Sequence, residues 1–144
     1  MEFKIELKYE RKAHSVGGSF WHFQWCTKYR YKMFGKEYYR HLCTIFLLEA
    51  SKRYKIGILA MSIQADHLHL VVKLPPKMFD SRALQLLKGF VSRLMFLQAP
   101  ELEKRYPKHE LWGDGNFSTT VGFVNLEETI TYVKNQDMHH KLYV

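Results

Sequence analysis

The chain has 144 residues, 47% of them hydrophobic and 15% aromatic, which suits one packed domain and argues against disorder. A domain of this length buries roughly 70% of its unfolded surface and needs no disulfide staples. The formal charge of +8 and the pI of about 9.5 favour an anionic partner, most simply nucleic acid.

Residues 1 to 19 read as an N-terminal arm of a single domain covering 1 to 144, closing on Val16-Gly17-Gly18-Ser19. Met1 to Glu6 carries no apolar signal core, and no run approaches a membrane span, so a cytoplasmic protein without membrane contact is expected. Phe20 to Thr27, rich in Phe and Trp, predicts a first strand. Lys28-Tyr29-Arg30-Tyr31-Lys32-Met33-Phe34 then interleaves cations with rings, as single-stranded nucleic-acid binders do. A solvated cationic strand end is the competing reading. Gly35 precedes a helix over about 36–54, with Leu42, Ile45, Phe46 and Ala50 at helical spacing. Cys26 and Cys43 belong to no CxxC pair and read as reduced core thiols.

Ile56 to Ile63 predicts a second strand, Gln64-Ala65-Asp66 a polar turn, and His67 to Leu74 a third strand. The short connection makes the pair an antiparallel hairpin, and Pro75-Pro76 ends it. Asp80 or Ser81 caps a second helix to about Ala99, burying Leu84, Leu87, Val91 and Leu94. Arg82, Gln85, Ser92 and Arg93 project from its polar side, where Gly89 leaves space. Pro100 and Pro107 bracket a connection. Leu111 to Val121 holds a fourth strand, and Asn125-Leu126-Glu127-Glu128 has capping-box character for a last helix. The order β-α-β-β-α-β-α matches an α+β, ferredoxin-like sandwich with an antiparallel sheet and an added C-terminal helix.

The chemistry concentrates in Asp66-His67-Leu68-His69-Leu70-Val71-Val72. Side chains alternate along a strand, so His67 and His69 share one face while Leu68, Leu70 and Val72 take the other. A lone strand histidine is more often structural than a ligand, but paired imidazoles on one face make a metal-binding surface. Mixed nitrogen and oxygen ligation suits Mg²⁺ or Mn²⁺ when a phosphate completes the shell, and the lack of a cysteine cluster disfavours zinc. On the last helix, at about 100° per residue, Leu126, Ile130 and Val133 share a narrow apolar sector, with Tyr132 and Gln136 together about 100° away. Tyr132 therefore stands outside that helix's core stripe, although an edge-packed structural tyrosine would satisfy the same pattern.

Taken in order, the motif around His67 and His69, Leu84 to Gly89 with Ser92, Leu111-Trp112-Gly113 through Phe117, and Tyr132-Val133-Lys134-Asn135-Gln136 resemble the single-tyrosine HUH transposases (His-hydrophobe-His). These are the TnpA type of small insertion sequences that move as single-stranded DNA. Trp25-Cys26-Thr27-Lys28-Tyr29-Arg30 is similar to that family's first strand. The resemblance runs from about residue 20 to 136. It departs after Trp112, where the family often carries Gly-Tyr-Phe and this chain has Gly115-Asn116-Phe117.

The resemblance implies a homodimer acting on single-stranded DNA with hairpins at the element ends. It implies that His67, His69 and Gln136 bind the metal and that Tyr132 is the nucleophile, serving its own or the partner's histidines. A phenol has a reference pKa of about 10, so its attack on phosphorus relies on a divalent ion to polarise the phosphate. The implied product is a covalent 5′-phosphotyrosine. Water and Lys134 are the candidate proton acceptors. Lys28, Arg30, Arg82, Lys88 and Arg93 are candidate DNA contacts. Competing expectations are a domesticated relative that processes hairpins, and a non-catalytic ferredoxin-like domain that stacks single-stranded nucleic acid.

Overall fold

The computed structural model describes the backbone of residues 18–141 and the side chains of residues 18–136. Most of the N-terminal arm expected over 1–19 lies outside the described residues. Strand β1 covers Ser19–Thr27, helix α1 Glu37–Tyr54, β2 Gly57–Ile63, β3 His67–Leu74, α2 Asp80–Gln98, β4 Trp112–Val121 and α3 Leu126–Lys141. The sheet order is β2-β3-β1-β4, with every neighbouring pair antiparallel. This is the ferredoxin-like arrangement expected from the element order, two βαβ units interleaved so that β1 and β3 are central. Among the described residues no helix is long and apolar enough to cross a membrane.

Helices α1 and α2 cover one face of the sheet. There Phe23, Trp25, Leu68, Leu70, Val72 and Leu74 pack with Leu42, Leu47, Leu87, Val91 and Met95 in the main core. Helix α3 covers part of the other face. Its Leu126, Ile130 and Val133 form a second, smaller core with Phe20, Leu59, Ala60, Val71 and Val121. The apolar sector expected on this helix is thus the one it buries. Strand β3 is apolar towards the main core at every second residue, and on the other face it changes from His67 and His69 to the buried Val71.

Several local expectations shift. On α1 the buried stripe runs through Tyr39, Leu42, Cys43, Leu47 and Ala50, while Ile45 is 38% exposed. The face lies further round the helix than the sequence spacing placed it, because it must meet both α2 and the sheet. Cys43 is fully buried and its thiol pKa is pushed up by desolvation; Cys26 is only half-buried. On α2 Leu84, Leu87 and Val91 are buried, and Leu94 is half-buried. Phe79, not Asp80 or Ser81, is the residue before the helix, with no side-chain cap. The Asp80 carboxylate instead accepts a 2.7 Å hydrogen bond from the Ser118 hydroxyl, tying α2 to β4. Gly18 sits at φ +98°, with Leu74 O where a Cβ would project, so only glycine enters β1 this way.

Candidate active site at the histidine strand and the tyrosine helix

The register of the sheet brings a third imidazole to the paired histidines. On β1, His22 and Gln24 alternate with Trp21, Phe23 and Trp25, so they share the α3 side of the sheet. Gln24 is directly opposite His69, and His22 is opposite Val71. His22 therefore lies on the diagonal to His69, a distance that ring side chains span. Their rings stack at 5.4 Å between centroids, with His22 Nε2 3.2 Å from His69 Nδ1. Burial lowers the pKa of His22, which favours the neutral ring that this contact needs.

His67 and His69 lie edge to face, 5.3 Å apart. His67 is held from its other side, with Nδ1 2.8 Å from Asp66 Oδ1. The second carboxylate oxygen of Asp66 accepts a 3.0 Å hydrogen bond from Arg30 Nε. Burial acts to raise the Asp66 pKa, but the hydrogen bonds from His67 and Arg30 outweigh it and hold the carboxyl below its ordinary range. Both motif histidines thus have Nδ1 engaged by a neighbouring side chain. Metal-binding histidines are commonly oriented through the ring nitrogen that does not touch the ion.

Tyr132 meets this cluster from α3. Its ring lies edge-on to His22 at 6.2 Å and to His69 at 6.4 Å between centroids, and the residue is 54% exposed. One chain therefore carries the paired histidines and the tyrosine on the same face of its own sheet. Phe117 of β4 closes the outer side, edge-on to His22 at 5.5 Å. Gln136 is one turn beyond Tyr132 and half-buried. Lys134 leaves the helix about 200° from Tyr132, which directs it away from the phenol. A shallow surface depression beside Tyr132 is lined by Val124, Glu127, Glu128, Thr131 and Asn135.

The candidate DNA contacts divide between the two sides of the molecule. Lys28 pairs with Glu110 at 2.9 Å and Arg30 with Asp66 at 3.0 Å, both at the end of β1 beside His67. Arg82, Lys88 and Arg93 belong to α2, across the sheet from the tyrosine. Lys88 Nζ donates to Gly113 O at 3.2 Å and Asn116 Oδ1 at 2.7 Å, while Trp112 Nε1 donates to Lys88 O. Lys88 clips α2 to the start of β4, and burial lowers its pKa. Arg82 and Arg93 are exposed, and Arg82 bonds Gln85 on its own helix.

The chain matches the family described as IS200-like transposases over residues 15–136. It belongs to the IS200-like transposase family. It is 32% identical over 124 residues to the transposase for insertion sequence element IS200 of Salmonella typhimurium, covering 86% of this chain and 80% of that one. The Salmonella typhi counterpart matches equally. Among solved structures, a candidate transposase from Deinococcus radiodurans R1 superposes with a TM-score of 0.66 at 25% identity, over 84% of this chain and 92% of that one. A REP-associated tyrosine transposase bound to a REP hairpin shares the fold, with a TM-score of 0.62 at 15% identity, over 85% of this chain and 68% of that one. The resemblance in the first strand, the histidine strand and the tyrosine helix is therefore one of family, and the family's role is DNA transposition.

His22 is the participant that its own sequence context did not single out. Its signal was the alternation of His22 and Gln24 with three aromatic residues, which places both on the face opposite the main core. Asp66 stood in the motif as part of a turn, and its contact with His67 is visible only in three dimensions.

Proposed function

We propose that this chain cleaves and rejoins single-stranded DNA at insertion-sequence ends, with Tyr132 as nucleophile and with His67, His69 and Gln136 holding Mg²⁺ or Mn²⁺. The observation that carries the reading is the Tyr132 ring set edge-on to His69 and His22 on one sheet face. The donor set fits a hard divalent ion. Two imidazoles project from one strand face, each oriented through Nδ1 by a neighbouring side chain, and an amide is placed one turn past the tyrosine. Among the described residues no group of three or more His, Cys, Asp or Glu would hold a metal. Oxygen donors would complete the shell, namely the amide, water and the phosphate itself.

In this reading His69 Nδ1–H donates to His22 Nε2, and His67 Nδ1–H donates to Asp66. These contacts fix both ring tautomers before DNA arrives. The bound ion supplies charge neutralisation at the phosphate. Tyr132 is oriented by the two imidazole edges. Its phenolic oxygen forms a bond to phosphorus as the bond from phosphorus to the 3′ oxygen breaks. The phenol proton passes to water, and the leaving oxygen takes up a proton and departs as a 3′-hydroxyl. The 5′-phosphotyrosine keeps the phosphodiester's free energy, so attack by another 3′-hydroxyl rejoins strands and releases the tyrosine.

The protein acts in the cytoplasm as a homodimer. Among the described residues, strands β2 and β4 each pair with one neighbour, and a sheet edge of that kind is where a second copy can pair. Arg82 and Arg93, and the cationic end of β1, supply phosphate contacts. The hairpin on the REP-associated relative makes a DNA hairpin with a single-stranded flank the first substrate to test. Incubated with Mn²⁺ and end-labelled DNA of that design, the protein is expected to nick the unpaired flank and leave fully paired DNA intact. Equal cutting of both, or none of either, would reject the reading.

Asp66→Ala and His22→Phe are each expected to weaken Mn²⁺ binding by about 10- to 100-fold, the usual effect of removing a group that orients a metal-binding histidine. Titration calorimetry on the DNA-free protein measures this. Unchanged affinity in both variants would mean that neither contact orients a ligand.

A further inference from the structure

A cluster of aromatic residues beside the site has a shape that packing alone does not explain. After β1 the chain enters a short turn, Lys28–Arg30, in which Tyr29 has φ +60° and Arg30 φ +55°. Left-handed backbone at a bulky residue costs roughly 1–2 kcal/mol and persists only where surrounding contacts over-determine it. Those contacts are present. Thr27 N donates to Asp66 O at 2.9 Å, Lys28 N to Leu111 O at 2.8 Å, and the Thr27 hydroxyl to Tyr31 O at 2.7 Å.

The strained turn holds two rings outward. Tyr29 is 66% exposed and Tyr31 37% exposed, and their centroids are 5.3 Å apart. Tyr31 leans on buried Tyr106 at 5.6 Å, and Tyr106 on Phe96 at 6.3 Å. The result is a row of rings running from the core to solvent. Cations flank it, with Arg105 5.5 Å from the Tyr31 ring and Lys28 5.6 Å from the Tyr29 ring.

We propose that Tyr29 and Tyr31 form a stacking platform for unpaired nucleobases of the DNA strand that enters the histidine site. Its position supports this. Arg30, from the same turn, shares the Asp66 carboxylate with His67, so the platform adjoins the proposed metal site. Its chemistry supports it as well. A π-face accepts any base, flanking cations attract the backbone, and the chain's charge of +8 complements a polyanion. Lys28 and Arg30 are held in place by carboxylates, so the two rings add a contact with the bases to the charge that this turn presents to the backbone. The inference rests on the single-strand reading above and adds where the bases lie.

The test uses the full chain with a fluorescent oligothymidylate, and with the same strand carrying one 2-aminopurine. Tyr29→Ala and Tyr31→Ala are expected to weaken binding about tenfold each, within the range of one lost base stack. Tyr29→Phe should bind as the unaltered protein does. Tyr29→Gly separates binding from folding, because glycine relieves the left-handed backbone: it should unfold at no lower temperature yet bind as weakly as Tyr29→Ala. Stacking should quench 2-aminopurine on the unaltered protein and not on Tyr29→Ala. Covalent adduct formation on the hairpin substrate at subsaturating DNA should fall with affinity in the two alanine variants and not in Tyr29→Phe. Oligothymidylate affinity unchanged in both alanine variants, with the adduct intact, would overturn the platform and leave the active-site reading standing. An equal loss of duplex binding would also overturn it, as would loss of self-association without loss of DNA binding. No binding of single strands by the unaltered protein would overturn both readings.

Discussion

Tyr132→Phe is expected to abolish covalent attachment to DNA while leaving the fold and the DNA affinity intact. The substitution keeps the ring that lies edge-on to His22 and His69 and removes only the hydroxyl. Packing against both imidazoles is preserved, and Tyr132 is 54% exposed, so no buried hydroxyl partner is left unsatisfied. Loss of the attacking atom lowers cleavage by more than about three orders of magnitude, as for other covalent nucleophiles. Single-turnover cleavage of labelled DNA measures the rate, and fluorescence anisotropy measures affinity. Cleavage at the original rate would remove Tyr132 from the chemistry. A parallel loss of affinity would assign it to DNA binding.

Removing either motif histidine should be nearly as damaging, by a different route. His67→Ala and His69→Ala each delete a proposed ligand, so Mn²⁺ affinity should fall by more than about a hundredfold, beyond the loss expected from an orienting contact. Cleavage should fall with it and recover in part at high Mn²⁺, and a chelator should silence the unaltered protein reversibly. The two variants differ in stability. His69 is 5% exposed and bonds His22, so its loss strands a half-buried imidazole and costs roughly 1–3 kcal/mol. His67 is half-buried and held by a partly exposed carboxylate, so its loss costs less. Denaturant titration of the metal-free proteins gives the order. Undiminished metal affinity in both would refute the ligand assignment.

The two periodicities in this sequence carried most of the architecture. Alternation on β3 separated His67 and His69 from Leu68, Leu70 and Val72 because a sheet offers only two faces. The angular sector of α3 separated Tyr132 from Val133 for the corresponding reason. What eluded the sequence depends on partners distant in the chain. His22 joins His69 only through the β1–β3 register, and no local spacing sets that register. The buried face of α1 was misplaced because Leu42, Ile45 and Phe46 are as periodic as Leu42, Cys43 and Leu47. The position of α2 and the sheet decides between the two stripes. Asp80 looked like a helix cap, since a carboxylate at a helix start usually is one, and its engagement by Ser118 required knowing where β4 lies. The left-handed Tyr29 and Arg30 carry no glycine or asparagine to announce them. Hydrogen bonds to Leu111 and Asp66 hold that turn, and both residues are far away in sequence.

Peptide mass spectrometry of the adduct identifies the residue that attacks the DNA. The protein would be incubated with Mn²⁺ and a hairpin bearing a single-stranded flank, denatured, trimmed with nuclease and digested. A nucleotide joined through its 5′ phosphate to Tyr132 is expected, and it should be absent when the metal is chelated. A nucleotide on any other residue, or metal-dependent cleavage that leaves no protein-linked DNA, would contradict attack by Tyr132.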